Sequence, residues 1–576
     1  MPVNRPEDVA LDWDAIDWRR HEDNVRRLRG RIFKATRDGD WPTVRNLQRM
    51  MLRSWSNTLV SVRQATQRNA GRGTAGIDGR VALTSRARAG LAVQVHRTAR
   101  TWKPRAVKRV YIPKSRDRKK LRPLGIPVIA DRAHQARHRN ALEAEWEARF
   151  EPRSYGFRPG RSCQDAIRVI HATACGKTAQ RVWVLDADLE AAFDRLDHNH
   201  LLSTIGSYPG RGMIRDWLKA GVFEPGKGFA PTDEGTPQGG VISPLLLNVA
   251  LHGMEQAAGV RYEASDPGRV KRKSPALVRY ADDLVALCHT RQQAEQVKAR
   301  LAEWLAPRGL SFNRDKTRIA DLDTEGVDFL GFHARRYHGK LIIKPSKAAI
   351  RRVTRRLSAE MRTLRGGNAA AVLATVNPII RGWANFYRGV ASSRTYAALD
   401  RHMWQLAYKW ACWVHPNKPK DWIIHRYFGQ HHKTRSDRWV FGNPDNGAYL
   451  VKFAWTKIVR HVLVKGEASP DDPAQARYWA DRRGKNRPPL DPGTLTLLRK
   501  QQGRCPLCGD LLLHADREPH SPQEWEQWHR TTRKAITKQA IVIRGQDDTP
   551  GSTRLVHADC GRRANGARND PAALYT

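Results

Sequence analysis

The alternation of apolar and polar positions predicts a β-hairpin at Leu277–Leu287. Two short apolar runs with β-branched residues flank a polar centre, which places Asp282 and Asp283 at the hairpin tip. Adjacent carboxylates repel each other and add nothing to stability by themselves. A divalent cation would relieve that repulsion, and oxygen ligands suit Mg²⁺. The alternative is an ordinary turn with two solvated aspartates.

A second acidic segment follows the apolar run Val182–Leu185, which reads as a buried strand leading into a helix. Asp186 and Asp188 are two residues apart, so in a strand both lie on one face. Either carboxylate could reach a metal, and periodicity does not choose between them. An aspartate between a strand and a helix is also a common N-cap, so that alternative stays open.

Helical and strand patterns occur in both halves of the chain and predict an α+β, multidomain protein. Residues 1–100 are predicted to be mainly helical, up to a glycine-rich loop at Asn69–Gly79. Arg109–Pro127 has the pattern of a hairpin, with Lys114 and Arg122 near its two ends. These cations could hold a triphosphate or could be solvated surface charges. Gln238 lies in a Pro/Gly turn before an apolar helix, with an amide able to contact a base or sugar.

After about residue 345 the pattern becomes helical and strongly basic. One helix there carries apolar residues at alternating steps of four and three, which predicts a core stripe rather than a base-stacking surface. The residues of that stripe are Leu399, Met403, Leu406, Trp410 and Trp413. Residues 430–495 are rich in loops and basic residues, with predicted hinges at Pro470–Pro473 and Lys485–Pro489.

The charge of the chain identifies the class of its partner. The 576 residues include 102 lysines and arginines against 57 aspartates and glutamates, a formal net charge of +45. Positive charge on this scale repels itself unless a polyanion neutralises it, so nucleic acid is the expected partner. A membrane-surface protein is the alternative, but no apolar run approaches the roughly 20 residues of a spanning helix. The polar N-terminus has no signal-peptide pattern, and we expect a cytoplasmic protein.

Four of the seven cysteines are scattered, and two others form a pair near the C-terminus. Cys505 and Cys508 have the spacing of a zinc knuckle, and His557 and Cys560 form the later pair with matching spacing. Together the four side chains would make a closed, structural Cys₃His zinc site. A redox-active or metal-free cysteine pair is the alternative.

Taken in order, these segments resemble the reverse transcriptase of group II introns, an intron-encoded protein that is also a maturase. The resemblance implies a right-hand polymerase: fingers and palm with an antiparallel sheet and helices, an α-helical thumb or maturase domain, and a small C-terminal zinc-knuckle domain. The segments that carry it are Asn69–Gly79, Arg109–Pro127, Tyr155–Ser162, Val184–Asp194, Thr236–Asn248, Leu277–Leu287, Leu310–Thr317 and Phe329–Phe332.

The resemblance also selects Asp188 over Asp186. In the family, the metal-binding aspartate is followed five residues later by an aromatic side chain that crowds the sugar 2′ position, and Phe193 stands five residues after Asp188. We therefore expect Asp188, Asp282 and Asp283 to be catalytic and to hold two Mg²⁺ ions. Phe193 would exclude ribonucleotides.

Nucleotide contacts follow from the same resemblance. The cations Lys114, Arg122 and Lys316 would neutralise the triphosphate of the dNTP, and Gln238 would contact its base or sugar. The C-terminal position resembles that of an HNH endonuclease domain. The central His-His pair of that nuclease is missing from residues 509–556, and Gly561 replaces a usual histidine, so we expect weak or absent DNA cleavage.

The function implied is an RNA-directed DNA polymerase and maturase that binds its group II intron RNA, assists splicing and copies the RNA into DNA for retrohoming. Its partners would be intron RNA, a DNA target and primer, and dNTPs, in a cytoplasmic, nucleoid-associated ribonucleoprotein; a homodimer is compatible with the sequence. The alternatives are a non-enzymatic splicing factor on a polymerase scaffold and a retron-like or defence-type reverse transcriptase.

The predicted domains follow the order of the motifs. They are residues 1–100 (N-terminal extension and helical part of the fingers), 101–345 (fingers and palm), 346–430 (thumb or maturase domain), 431–495 (basic DNA-binding or linker segment) and 496–576 (HNH-like zinc-knuckle domain).

Overall fold

The N-terminal part is helical, as predicted. The computed structural model describes residues 11–113, 121–432 and 435–485, with short stretches between 496 and 561. Four side chains, Asp17, Asp40, Ser54 and Thr84, begin the helices by accepting a hydrogen bond from the backbone N–H three residues later. The helices are α1 (Trp18–Arg37), α2 (Trp41–Arg53), α3 (Trp55–Arg63) and α4 (Ser85–Arg97).

A β-hairpin and two helices follow, and the hairpin predicted at Arg109–Pro127 is confirmed. The elements are β1 (Val107–Pro113), β2 (Leu121–Ile126), α5 (Ile129–Glu147) and α6 (Cys163–Ala174). The strands pair antiparallel from Lys108 opposite Ile126 to Pro113 opposite Leu121. Lys114 lies outside the described residues, whereas Arg122 is an exposed side chain of β2.

Short helices separate the strands of the central sheet along the chain. The elements are β3 (Trp183–Asp188), α7 (Ala192–Arg195), α8 (His198–Ile205), α9 (Arg211–Leu218), β4 (Val222–Glu224), β5 (Gly228–Ala230), α10 (Ser243–Ala250), α11 (Met254–Ala257), β6 (Tyr262–Glu263), β7 (Asp266–Val270), β8 (Ala276–Tyr280), β9 (Asp283–Cys288), α12 (Arg291–Leu305) and β10 (Arg318–Asp321). The four strands β10-β3-β9-β8 form an antiparallel sheet in that order. Residues Leu284–Cys288 of β9 are buried, because β9 lies inside the sheet and α12 covers it. A second sheet has the order β2-β1-β4-β5.

The predicted hairpin at Leu277–Leu287 is confirmed, with one correction. Tyr280 pairs with Asp283, so the turn contains Ala281 and Asp282, and Asp283 is the first residue of β9 rather than part of the tip. Ala281 has a φ of +60°, a left-handed conformation that costs energy in a residue with a Cβ.

The apolar pattern of Val327–Phe332 predicts a single strand in which Gly331 allows a close approach of backbone, and this prediction is wrong in its extent. The structure has β11 (Val327–Phe329), β12 (Phe332–Tyr337) and β13 (Lys340–Pro345), which form a three-stranded sheet. Leu330 and Gly331 have φ values of +50° and +85° and form the two-residue turn between β11 and β12. The glycine therefore permits a tight hairpin turn rather than a close approach within one strand.

The helical region after residue 345 is confirmed. Its elements are α13 (Lys347–Thr363), α14 (Ala369–Tyr387), α15 (Ser393–Val414), α16 (Lys420–Tyr427), β14 (Phe428–Gly429) and β15 (Val440–Phe441). In α15, Leu399, Met403 and Trp410 are buried as expected, and Leu406 is half-buried. Trp413 is 51% exposed, so the predicted core stripe ends one helical turn earlier. The buried part of this region is continuous with the core of the central sheet.

The segment after the helical region returns to the N-terminal part of the chain, so the hinge predicted at Pro470–Pro473 is wrong. Of the second predicted hinge, residues 486–489 lie outside the described residues. Arg29 of α1 binds both carboxylate oxygens of Asp471, at 2.7 and 2.6 Å, and Pro473 packs against Gly30. The last elements described are α17 (Ala476–Lys485), β16 (Ile541–Arg544) and β17 (Arg554–His557). Among the described residues, each helix is too short or too polar to cross a bilayer.

Gly156 fixes the position of the carboxylate-bearing hairpin, and its replacement tests that contact. A Cβ on Gly156 would lie 2.2 Å from the backbone nitrogen of Ala281. We expect Gly156→Ala to lower the free energy of unfolding by about 1–3 kcal/mol, because backbone must move. Gly90→Ala is the control, since Gly90 is exposed within α4 and has nothing within 4 Å of a Cβ. The control should gain up to about 1 kcal/mol from helix propensity. Equal unfolding midpoints for the two variants would contradict the prediction.

Candidate active site

Three carboxylates meet at one end of the central sheet. Asp188 is the last residue of β3, and its direct partner across the ladder is Asp283, the first residue of β9. Asp282 precedes Asp283 in the turn, and its carbonyl oxygen accepts a hydrogen bond from the backbone N–H of Leu189 at 3.3 Å. All three aspartates are half-buried. The antiparallel register therefore brings together the three residues that the sequence selected.

The electrostatics of these carboxylates fit a divalent cation. Burial, then the neighbouring charges of Asp282 and Asp188, raise the pKa of Asp283 to about 7. Burial and Asp188 also raise the pKa of Asp282. Lys316 Nζ donates to Asp188 Oδ2 at 2.5 Å and places one positive charge at the cluster. A half-buried set of oxygen ligands that repel each other is the donor set that Mg²⁺ prefers.

Asp186 is held apart from the cluster. It lies opposite Val285 in β9 and Arg318 in β10, and its carboxylate is 3.6 Å from the Arg318 guanidinium. Burial raises the pKa of Asp186 to about 6, although Arg318 opposes the shift. The two aspartates that periodicity placed on one face therefore differ in their neighbours: Asp188 faces Asp283, and Asp186 faces an arginine.

A buried arginine that was not predicted from the sequence supports the turn that contains Ala281 and Asp282. Arg279 in β8 is 2% exposed, and its Nη1 donates to Asn248 Oδ1 at 2.8 Å and to the Ala281 carbonyl at 3.3 Å. The Asn248 amide in turn donates to the Gly156 carbonyl at 2.8 Å. These bonds tie the turn to α10 and to the Gly156 loop. The signal in the sequence was an arginine inside an otherwise apolar strand.

A second pair of carboxylates lies near this arginine. The backbone N–H of Glu255 donates to Glu151 Oε1 at 2.8 Å, and Glu255 accepts from the backbone N–H of Arg153 at 3.0 Å. Burial and the neighbouring Glu151 raise the pKa of Glu255 to about 7. Burial lowers the pKa of Arg279 to about 10, with the charge of Glu151 opposing that shift. The turn therefore rests on a buried network of opposite charges.

Two phenylalanines pack edge to face beside the turn. The rings of Phe157 and Phe193 are 6.1 Å apart with an interplanar angle of 70°. Phe157 was not singled out from the sequence, yet it is 49% exposed and has a φ of +62°, both unusual for a large apolar residue. Phe193 is half-buried and its carbonyl accepts from the Thr236 N–H at 2.5 Å. Phe193 is thereby fixed to the loop that contains Gln238.

The Gln238 loop lies directly against the β1–β2 hairpin. The Gly125 N–H of β2 donates to the Gln238 carbonyl at 2.6 Å. Gly239 has a φ of +119°, and a Cβ there would lie 2.5 Å from the Gly125 carbonyl oxygen. The positive charge of Arg122, also in β2, lowers the pKa of Asp282 against the larger effect of burial. The structure thus brings the charge of Arg122 within range of Asp282, and it places the backbone of Gln238 against the same hairpin.

Three of the four predicted zinc ligands near the C-terminus lie close together. The ligand atoms of Cys505, His557 and Cys560 all lie within 4.8 Å of one another. Cys560 Sγ and His557 Nδ1 are 3.8 Å apart, and Cys505 is buried. Cys508 lies outside the described residues. Two thiols and an imidazole at this spacing fit three of the four ligands of a structural zinc site.

Three family models match the chain in the order of its parts. The N-terminal domain of reverse transcriptase matches residues 13–95, and the reverse transcriptase (RNA-dependent DNA polymerase) matches residues 112–334, which include all three clustered aspartates. The chain belongs to the reverse transcriptase family. The maturase-specific domain of group II introns matches residues 347–428, which cover α13 to α16.

Relatives extend over different parts of this reverse transcriptase. Protein YkfC of Escherichia coli (strain K12) is 34% identical over 322 residues, which cover 50% of this chain and 83% of YkfC. Group II intron-encoded protein LtrA of Lactococcus lactis subsp. cremoris is 36% identical over 177 residues, which cover 30% of this chain but only 28% of LtrA. Maturase-like protein 1 of Euglena gracilis is 23% identical over 372 residues, with 63% of this chain and 74% of that protein covered.

These matches confirm the reverse transcriptase and maturase functions predicted from the sequence, and with them an RNA-directed DNA polymerase activity. Reverse transcriptases generally use Mg²⁺, and their partners are RNA, DNA and nucleotides. The roles of individual residues, the zinc site and the nuclease-like domain stay predictions.

Proposed function

We propose that this reverse transcriptase binds the RNA of its own group II intron, assists its splicing and copies it into DNA for retrohoming. The observation that carries the polymerase part is the register that sets Asp188 opposite Asp283, with Asp282 adjacent. A splicing factor that merely retained the scaffold would have no need for three carboxylates that repel each other. The match to a group II intron maturase domain disfavours a retron-like enzyme.

The proposed reaction is attack of the primer 3′-hydroxyl on the α-phosphate of a dNTP, with pyrophosphate leaving. Two Mg²⁺ ions, when bound, supply charge that activates the hydroxyl and stabilises the leaving oxygens. Asp188 and Asp282 would hold both ions, and Asp283 would be the weaker third ligand. Lys316, which contacts Asp188, would add positive charge beside them.

The nucleotide would lie between the carboxylates and the β1–β2 hairpin. Arg122 and Lys114 would neutralise its triphosphate, Arg122 through a planar fork and Lys114 as a point charge. Gln238 would contact the base or sugar from the loop that packs on β2. Phe193 would crowd the 2′ position of the sugar, so that the product is DNA.

Intron RNA would contact the basic side of the thumb. In α13, Val353, Leu357 and Met361 are buried against the core, while Arg351 and Arg355 are exposed. Such a face suits RNA, which proteins recognise largely by shape, phosphates and 2′-hydroxyls. Residues 431–495 would contact the DNA target. The enzyme would act in a cytoplasmic, nucleoid-associated ribonucleoprotein, alone or as a homodimer.

The C-terminal part would be a zinc-stabilised, HNH-like domain with weak or absent DNA cleavage. Cys505, His557 and Cys560 support this assignment by their proximity, and Cys508 would be the fourth ligand. A closed Cys₃His site leaves no open position for catalysis, so its role would be structural.

The two strand aspartates provide a matched test of catalysis. We expect Asp188→Asn and Asp282→Ala each to lower the rate of primer extension on an RNA template by on the order of 10³-fold. Each substitution removes a negative charge from the reacting centre. Asp186→Asn should retain most of the activity, since Asp186 faces Arg318. Extension with Mg²⁺ and dNTPs measures all three variants. If Asp188→Asn extended normally and Asp186→Asn did not, the assignment would be reversed.

Sugar selection tests the role of Phe193. We expect Phe193→Ala to raise the efficiency of ribonucleotide incorporation relative to deoxynucleotides by roughly tenfold or more, because a steric barrier is removed. Single-nucleotide incorporation of ATP against dATP opposite the same template base gives the ratio. An unchanged ratio in a variant that still extends with dNTPs would show that another residue selects the sugar.

Metal content tests the zinc site. We expect about one zinc ion per chain in the purified protein, and its loss in Cys505→Ser, because a thiolate ligand is removed. Cys175→Ser is the control, since Cys175 is an exposed cysteine in another part of the chain. Elemental analysis that finds no zinc in the wild-type protein would refute the site.

A further inference from the structure

The thumb and the segment that follows it form an open cavity that the proposed polymerase reaction does not use. It lies between α15 and the segment 437–452, with a volume of about 440 Å³. We call it the Trp404–Trp439 cavity. The residues that line it are Asp400, Arg401, Trp404, Trp439 and Lys452.

The walls of this cavity are aromatic. The rings of Trp404 and Trp439 are 6.2 Å apart at an angle of 76°. Trp404 is fixed from behind, because Tyr408 stacks on it at 5.4 Å with an angle of 2°, and Phe428 packs at 5.7 Å. Trp439 is 53% exposed, an unusual position for an indole unless it contacts a partner. The cavity thus pairs one rigid ring with one accessible ring.

The rim of the cavity carries two cations, Arg401 and Lys452, together with the carboxylates of Asp400 and Asp437. Arg401 is exposed on α15 beside Trp404. Lys452 is half-buried, and its Nζ is held 2.6 Å from Asp437. The acidic member, Asp400, is committed to the fold: its two carboxylate oxygens accept the backbone N–H groups of Phe453 and Ala454, at 2.6 and 3.0 Å. Burial also raises the pKa of Asp400 to about 6, so the carboxylate keeps most of its charge at pH 7, but both oxygens are already used by these backbone donors. The cavity therefore offers stacking surfaces and cations to a ligand.

We propose that the Trp404–Trp439 cavity binds one unstacked nucleobase of single-stranded RNA, whose adjoining phosphate is held by Arg401 and Lys452. Flat aromatic walls with flanking cations are the chemistry by which proteins hold unpaired bases. An apolar peptide would use the tryptophans but would gain nothing from the cations. The proposal rests on the proposed function only in taking RNA as the partner of the thumb.

The test uses the full-length protein and a short single-stranded RNA that carries one 2-aminopurine, a base whose fluorescence is quenched by stacking. We expect the wild-type protein to quench it on binding. Trp439→Ala should weaken binding by about fivefold or more and remove much of the quenching. Trp439→Phe should restore both, because the stacking face returns. The slope of log affinity against log salt concentration gives the number of ions released on binding. Arg401→Gln should lower this number by about one, as expected for the loss of one phosphate contact.

Trp413→Ala is the matched control, because Trp413 is 51% exposed, close to the 53% of Trp439, and lies on α15 with Trp404 but does not line the cavity. It should bind and quench like the wild type. Binding that is insensitive to Trp439→Ala, or equally sensitive to Trp413→Ala, would overturn the proposal. Primer extension by the wild-type protein is measured in parallel. If extension failed but quenching depended on Trp439, only the polymerase assignment would be refuted. If extension succeeded but quenching did not depend on Trp439, only the proposed role of the cavity would be refuted.

Discussion

Repulsion among three carboxylates is the constraint on which the rest of the site depends. Two unit charges 4 Å apart near a protein surface interact by about 4 kcal/mol, so a fold that confines Asp188, Asp282 and Asp283 must offset several such terms. Part of the offset is packing, because Leu284–Cys288 continue from Asp283 into a buried strand. Part is electrostatic: the pKa of Asp283 rises to about 7, and Lys316 contacts Asp188. Bound Mg²⁺ would neutralise the repulsion that remains, so the ions that the reaction needs would also stabilise this part of the fold.

The arginines of this chain do more than attract nucleic acid. Arg132 donates to the carbonyls of Pro127, Gly71 and Thr74 at 2.8, 3.0 and 2.6 Å, and so fixes the glycine-rich N-terminal loop. Arg279 supports the turn that contains Ala281 and Asp282 in the same manner. A guanidinium with five donors suits such sites, since it satisfies several carbonyls where no helix or sheet is present. The net charge of +45 therefore overstates the charge available to RNA and DNA.

Local patterns predicted the helices and hairpins well, because the spacing of apolar residues and the residue types that favour turns depend only on neighbouring residues. They failed where partners come from distant segments. Asp186 and Asp188 share one face of β3, and only the register against β9 and β10 separates them. Arg279 was overlooked because its partners, Asn248 and the Ala281 carbonyl, are brought to it by the fold. Family resemblance, through Phe193, supplied the choice of Asp188 that periodicity could not make.

The same reasoning explains why the segment after the thumb was misread as a hinge. Its sequence is rich in proline and charge, but His461 Nε2 lies 2.8 Å from the buried carboxylate of Asp165 at the start of α6, and Arg161 donates to the Gly466 carbonyl at 2.6 Å. Asp471 holds Arg29 in α1. These contacts tie the chain beyond the thumb to the fingers. The proline-rich segment is therefore a packed part of the fold, held by side-chain charges and backbone carbonyls whose partners its own sequence does not reveal.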